Sequence, residues 1–334
     1  MYTPTRRHFL QTAGAACTFA ALPTAWAADA FPTKPLSLVV PYPAGGASDA
    51  SARIFAESFS QSFKQQVIVE NYGGGTGLIG ANKVLSAPAD GYTFLHGSPN
   101  EVILPPMLNP AARYKPWDFV FAAPITMASI VLLVRNGIAV NTMDEFLDYA
   151  RQRKNEPLTY ASVGIDSLYH LMGDALAKRL DLPFLHVPYK GAAPALQDLA
   201  GGQVDFAILA YQTSFDGMQE QGRLKIVSSF STDMAPGLKH IAPITESKQI
   251  PDFVHEIGGG YFLRKGTPAD RVAALRKAIG EAVVKPEIRN RLEAEGRKVA
   301  QPTDTQEQSD VAFKTMVDSI ASLLQVLGRK NLAL

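Results

Sequence analysis

The sequence predicts an α/β protein folded as two lobes. Short, almost uninterrupted apolar runs such as Leu36–Val40 and Phe206–Leu209 read as strands buried on both faces. Segments with apolar residues at helical spacing alternate with them. The alternation breaks at a proline-rich crossing (Pro105, Pro106, Pro110, Pro116) and then starts again. Two βαβ series fit two lobes better than one sheet of unusual width.

The elements follow in order. Leu36–Val40 is the first strand, and Pro41–Ala47 a loop ahead of Ser48, a favoured helix-capping residue. Ala52, Phe55, Phe59 and Phe63 share one face of the helix that follows. Val67–Val69 is a strand, Leu78–Ser86 a short helix ended before Pro88, and Tyr92–Leu95 a third strand. The second series runs through strands at Ile130–Val134, Leu158–Ala161, Phe184–Val187, Phe206–Leu209 and Ile226–Ser229. Its helices are Thr142–Arg151, Ser167–Leu180 and Ala193–Ala200. Near the C-terminus, Thr267 is expected to cap a helix with Pro268 in the first position and Asp270 as the capping-box acid. The last helix buries Phe313, Met316, Val317, Ile320, Leu324 and Leu327 and stops at Gly328.

Composition narrows the function classes. With 334 residues, 46% hydrophobic and 19% charged, the chain can bury a sizeable core. No stretch approaches the roughly 18 apolar residues of a membrane span. Thr5-Arg6-Arg7-His8-Phe9-Leu10, a weakly hydrophobic stretch and Ala25-Trp26-Ala27 read in order as a twin-arginine export signal cleaved after Ala27. Its removal leaves 30 basic residues against 31 acidic, so no nucleic acid or charged membrane surface is expected as a partner. Cys17, the only cysteine, lies inside the signal; the mature chain has no disulfide, thiolate nucleophile or cysteine metal ligand.

Bond-making chemistry finds little support. Gly75-Thr76-Gly77-Leu78-Ile79-Gly80 fits the dinucleotide fingerprint, which leaves an exported NAD(P)-dependent oxidoreductase as the alternative. Its helix is only about nine residues long, and no acid ends the next strand, since Glu101 lies beyond Pro99. No G-x-S-x-G elbow occurs, and no pair among His96, His170, His186, His240 and His255 has H-x-x-x-H spacing. Glu70 and Asp90 fit local turn roles better than a carboxylate pair.

Two strand-to-helix loops are more informative. In Tyr42–Asp49, small residues let a ligand approach the backbone, and a helix start offers unpaired N–H donors and a positive dipole end. In Ser162–His170, hydroxyls precede a second helix. Loops at the carboxyl ends of strands are where α/β proteins bind ligands, and two facing helix starts would clamp a carboxylate. Alternatively, Ser48 and Ser167 only cap their helices.

The ordered motifs resemble the periplasmic solute-binding receptors of tripartite tricarboxylate transporters, often called Bug proteins. They begin with Val40-Pro41-Tyr42-Pro43-Ala44-Gly45-Gly46, Asp49 and Arg53, then Val69-Glu70-Asn71 with Gly73, Gly77 and Gly80. Asp90-Gly91-Tyr92-Thr93, the Ser162/Gly164/Ser167/His170 loop and His186-Val187-Pro188-Tyr189-Lys190-Gly191 follow. Gly201-Gly202-Gln203-Val204-Asp205 and Lys265-Gly266-Thr267-Pro268 complete the set.

The resemblance implies a type II-like periplasmic-binding-protein fold, α/β and hinge-closing. Lobe 1 would comprise residues 28–128 and 249–334, and lobe 2 residues 129–248. It implies a monomeric, non-catalytic periplasmic receptor that needs no cofactor or metal. The ligand would be a small carboxylated molecule, delivered to a membrane permease or, alternatively, sensed on behalf of a membrane sensor. Ligand contacts would come from Tyr42, Ala44, Gly46 and Ser48, from Ser162, Gly164, Ser167 and His170, and from Ala210 and Tyr211. Asp49 would orient the first loop or meet a water or a ligand amine. The sequence departs from the family pattern at Tyr72-Gly73, at Gly258-Gly259-Gly260-Tyr261 and at Asp166. Asp166 is expected to place an acid beside the pocket and either to disfavour multi-anionic ligands or to favour one that carries a cation.

Overall fold

A computed structural model of the chain describes residues 31–332; the export signal, its cleavage site and Cys17 lie outside the described residues. Every element below belongs to the compact unit that begins at Lys34. In chain order these are β1 (Leu36–Val40), α1 (Ala47–Phe63), β2 (Val67–Asn71), α2 (Leu78–Ser86) and β3 (Thr93–Gly97). Two short helices, α3 (Pro99–Val102) and α4 (Leu104–Leu108), lead to the long strand β4 (Phe119–Arg135). Then come α5 (Met143–Gln152), β5 (Leu158–Ser162), α6 (Leu168–Leu180), β6 (Phe184–Pro188), α7 (Ala192–Ala200) and β7 (Phe206–Ala210). The chain finishes with α8 (Ser214–Glu220), β8 (Leu224–Ser229), β9 (Glu256–Arg264), α9 (Ala269–Val283), α10 (Pro286–Ala294), β10 (Arg297–Val299) and α11 (Gln306–Leu327).

The strands run in the order β2-β1-β3-β9-β4-β7-β5-β6, with β10 and β8 also paired to β4. β4 belongs to both lobes. Its first part, through Ser129, pairs antiparallel with β9 and β10, and from Ile130 onward it pairs with β7 and β8. Within each lobe the remaining strands are parallel: β2-β1-β3 in one, β7-β5-β6 in the other. The carboxyl ends of β1 and β5 therefore carry the two loops singled out from the sequence. On the first lobe α1 lays Phe55 and Phe59 against Phe94 and Tyr261, with ring centroids 5.2–6.2 Å apart. Such pairs each contribute about 0.5–1.5 kcal/mol beyond their burial.

Three expectations need correction. Ser48 is not the cap of α1: the helix begins at Ala47, and its N-cap is Gly46, which offers no side chain. Instead Asp49 reaches back to accept from the Gly45 amide at 3.0 Å. Thr267 does not cap α9 either; its hydroxyl donates to the Arg264 carbonyl at 2.7 Å, closing the turn after β9, and Pro268 takes the N-cap place. The strand expected at Ile130–Val134 is the C-terminal part of β4, which begins at Phe119 and absorbs Pro124 at a register irregularity.

Candidate functional site

A cavity of about 60 Å³ lies between the lobes. The first lobe supplies Tyr42, Gly46, Ala47 and Ser48 from the β1–α1 loop, His96 and Gly97 from β3, and Asn100 and Glu101 from α3. Thr126, Gly258, Gly259 and Arg297 come from β4, β9 and β10. From the second lobe come Val163, Tyr169, Ala192 and Ala210. At about 10–15 Å³ per water-sized group, such a space takes roughly four to six.

The loop after β1 is held from behind. Asp49 is buried, accepts from Gly45 and Arg53 at 3.0 Å, and accepts from Asn71 at 3.0 Å. Asn71 also donates to the Tyr42 carbonyl at 3.0 Å. Burial alone would raise the Asp49 pKa, but the bonds from Arg53, Gly45 and Asn71 prevail and hold it below the ordinary value. Asp49 does not line the cavity; its geometry is that of a loop-orienting anchor. The first amides of α1 have no acceptor within the helix, and no side chain caps them. With the positive end of a 17-residue helix, they make an anion-binding edge.

The buried side chains around this edge are short of partners. His96 Nδ1, Thr126 Oγ1 and Arg297 Nε have no hydrogen-bond partner, and all three residues line the cavity. Burial, reinforced by Arg297, drives the His96 pKa down to about 3, so its imidazole is neutral at physiological pH. Burial raises Glu101 to about 7, although Tyr42 and Ser98 favour its charged form. Ser98 and Glu101 form the capping box of α3.

These two groups oppose each other in stability. The stability contributed by Glu101 is present below its unfolded value of 4.5 and lost as pH rises through about 7. That of His96 is present above 6.5 and lost as pH falls toward 3. Glu101→Gln keeps the capping box. It is therefore expected to abolish the fall in urea midpoint between pH 6 and pH 8. An equal fall in both proteins would assign it to another group.

The second loop is closed on itself. Ser162 Oγ donates to the Gly164 carbonyl at 3.0 Å and lies 2.7 Å from His186 Nε2. Ser167 caps α6 by accepting from the His170 amide at 3.3 Å. His170 Nδ1 accepts from the Asp166 amide at 3.0 Å, and its ring stacks on His186 with centroids 4.0 Å apart. The first amide of α6, Leu168 N, donates to Asn100 Oδ1 at 2.8 Å. A side chain from the first lobe thus occupies the second helix start.

Of the residues singled out from the sequence, Tyr42, Gly46, Ser48 and Ala210 line the cavity. Ser162, Ser167 and His170 do not line it, and Gly164 lines a separate outer groove. Ala44 is exposed at the loop tip. Tyr211 is buried beside Gly296, its hydroxyl donating to Asp216 at 2.5 Å. Asp166 is not beside the cavity. It lines a separate outer groove with its carboxylate 3.6 Å from Arg329, which offsets the charge expected to repel anions. Sequence reasoning missed His96, Asn100, Glu101, Thr126 and Arg297 as lining residues. The Gly75–Gly80 fingerprint is packing. A Cβ on Gly77 would come 2.6 Å from Glu101 Cγ and one on Gly80 2.7 Å from Pro41 Cβ, so the start of α2 is covered where a pyrophosphate would sit.

Comparison with known proteins agrees with this architecture. The family model of the tripartite tricarboxylate transporter family receptor matches residues 51–325. A UPF0065 protein from the tcbD-tcbE intergenic region of Pseudomonas sp. (strain P51) is 35% identical over 276 residues, 81% of this chain and 80% of that protein. The structure of the periplasmic binding protein BugD is 29% identical, with a TM-score of 0.82, covering 90% of this chain and 99% of BugD. The R. palustris protein Rpa4515, solved with adipate, is 26% identical, with a TM-score of 0.83 over 90% of this chain and 99% of its own. With its two-lobed α/β fold and a cavity between the lobes, the chain belongs to the tripartite tricarboxylate transporter receptor family, the Bug proteins.

Proposed function

We propose that the protein is a non-catalytic periplasmic receptor that closes its lobes over a small carboxylated molecule and presents it to the permease of a tripartite tricarboxylate transporter. The lobes in this reading are residues 28–128 with 249–334, and 129–248. Thr5–Leu10 directs export by the twin-arginine route, with cleavage after Ala27, and the receptor acts as a monomer. Tyr42, Gly46, Ser48 and Ala210 are the direct contacts; Asp49, Ser162, Ser167 and His170 hold the loops in shape.

One observation carries the reading: the uncapped start of α1 opens on a cavity whose buried lining includes an unpartnered guanidinium nitrogen. Charge-assisted hydrogen bonds of about 1.5–3 kcal/mol each, less ordering costs, suffice for micromolar affinity. The adipate-bound relative supports the same ligand chemistry. The test is thermal unfolding of the mature protein with mono-, di- and tricarboxylates. A ligand at about a hundred times its dissociation constant is expected to stabilise the fold by about 2.7 kcal/mol. Stabilisation by amines or neutral sugars, with no response to any carboxylate, would reject it.

A further inference from the structure

We propose that Arg297 pairs with the ligand's carboxylate and that Asn100 fills the place of a second one, so that the ligand is a compact monocarboxylate. The inference rests on the receptor reading above and goes further by assigning the charge-bearing residue and the number of charges accepted.

Arg297 is 7% exposed and begins the three-residue strand β10, paired with Ala128 of β4. Its Nη2 donates to the Ala47 carbonyl at 2.5 Å, and its Nε has no partner. The guanidinium is thereby fastened to the first residue of α1, and its charge adds to the positive end of that helix. Among the described residues it forms no ion pair within 4 Å. Glu101, the acid that lines the same cavity, has its two carboxylate oxygens engaged by the Ser98 amide and hydroxyl. Burial lowers the Arg297 pKa, yet a guanidinium keeps its proton in proteins, so the buried and unpaired charge is costly. A carboxylate entering this space meets a fork donor, helix amides and the Ser48 hydroxyl on one side.

The opposite side offers no second anion seat. The first amide of α6 already donates to Asn100 Oδ1, and the Ser162 and Ser167 hydroxyls are engaged within their own loop. The second lobe lines the cavity with Val163, Tyr169, Ala192 and Ala210, none of which carries a charge that could seat an anion. The cavity of about 60 Å³ fits a molecule of a few carbons better than an extended dicarboxylate.

The test is calorimetric titration of the mature protein with propionate, lactate, butyrate, succinate, malate and adipate. At least one monocarboxylate is expected to bind ten times more tightly than every dicarboxylate, a comparison that needs no variant. Arg297→Met is expected to weaken that ligand a hundredfold or more while leaving the empty protein's urea midpoint equal or higher, because an unpaired charge has been removed. A merely structural arginine would instead lower the midpoint and leave affinity alone. Arg297→Lys, keeping the charge without the fork, is expected to fall between the two. Asn100→Gly is expected to raise dicarboxylate affinity tenfold or more. Tightest binding of a dicarboxylate by the wild type, or affinity within twofold in Arg297→Met, overturns the inference while sparing the receptor reading. Binding of none of the six overturns both.

Discussion

Gly260→Ala is expected to destabilise the protein by about 3 kcal/mol, at the severe end of overpacking substitutions. A Cβ at this position would lie 2.3 Å from Phe121 Cε2 and 2.4 Å from the Ala123 carbonyl oxygen. Neither can yield. The Phe121 ring is held between Phe262 and Phe313, with centroids at 4.6 and 5.8 Å, and the carbonyl belongs to the β4–β9 ladder. The adjacent Gly259 supplies the control. Its Cβ would meet nothing nearer than the Gly97 carbonyl at 3.5 Å, yet the residue lines the cavity. Gly259→Ala is therefore expected to leave stability within about 1 kcal/mol and to weaken ligand binding instead. Urea midpoints measure the contrast. Equal midpoints for the two variants would contradict it.

The second large effect is on binding. Gly164→Ala is expected to raise the dissociation constant about 10- to 100-fold, or roughly 1.4–2.7 kcal/mol. Gly164 has φ +143°, where a side chain is strained, and an added Cβ would lie 2.5 Å from Thr76 Oγ1. That hydroxyl donates to the Ile165 carbonyl at 2.7 Å, so the contact joins the glycine turn of one lobe to the ligand loop of the other. A Cβ here stands between the lobes where they meet. Calorimetry with any ligand found by the thermal screen is the measurement. Thr76→Gly in the Gly164→Ala background is expected to recover part of the loss, and unchanged affinity in Gly164→Ala alone would contradict a closing contact.

Much of the fold was legible because local signals and tertiary structure agree. The β1 run, the α1 aromatic stripe and the Gly328 stop of α11 each carry a local cause. β9 was missed because Gly258-Gly259-Gly260 lacks strand propensity; Met127 crowds Gly258 and Phe121 crowds Gly260, while Gly259 lines the cavity. The first part of β4 hid behind Pro124 and its alanines. The site was legible only where it is local. The β1–α1 loop showed its glycines, but Arg297 reaches the Ala47 carbonyl from 250 positions along the chain. A lone arginine after a short helix gives no sign of such a destination. The Ser162–His170 loop looked open because its hydroxyls precede a helix, and its closure by Asn100 is a long-range contact that spacing does not encode.

Because β4 passes unbroken from one lobe into the other, the lobes are not exchangeable modules. Excising either at Ser129–Ile130 would cut a continuous strand and expose the strand edges that β9 and β10, or β7 and β8, now cover. New specificities in this scaffold are therefore more readily built by altering loops and lining residues than by recombining halves from different parents.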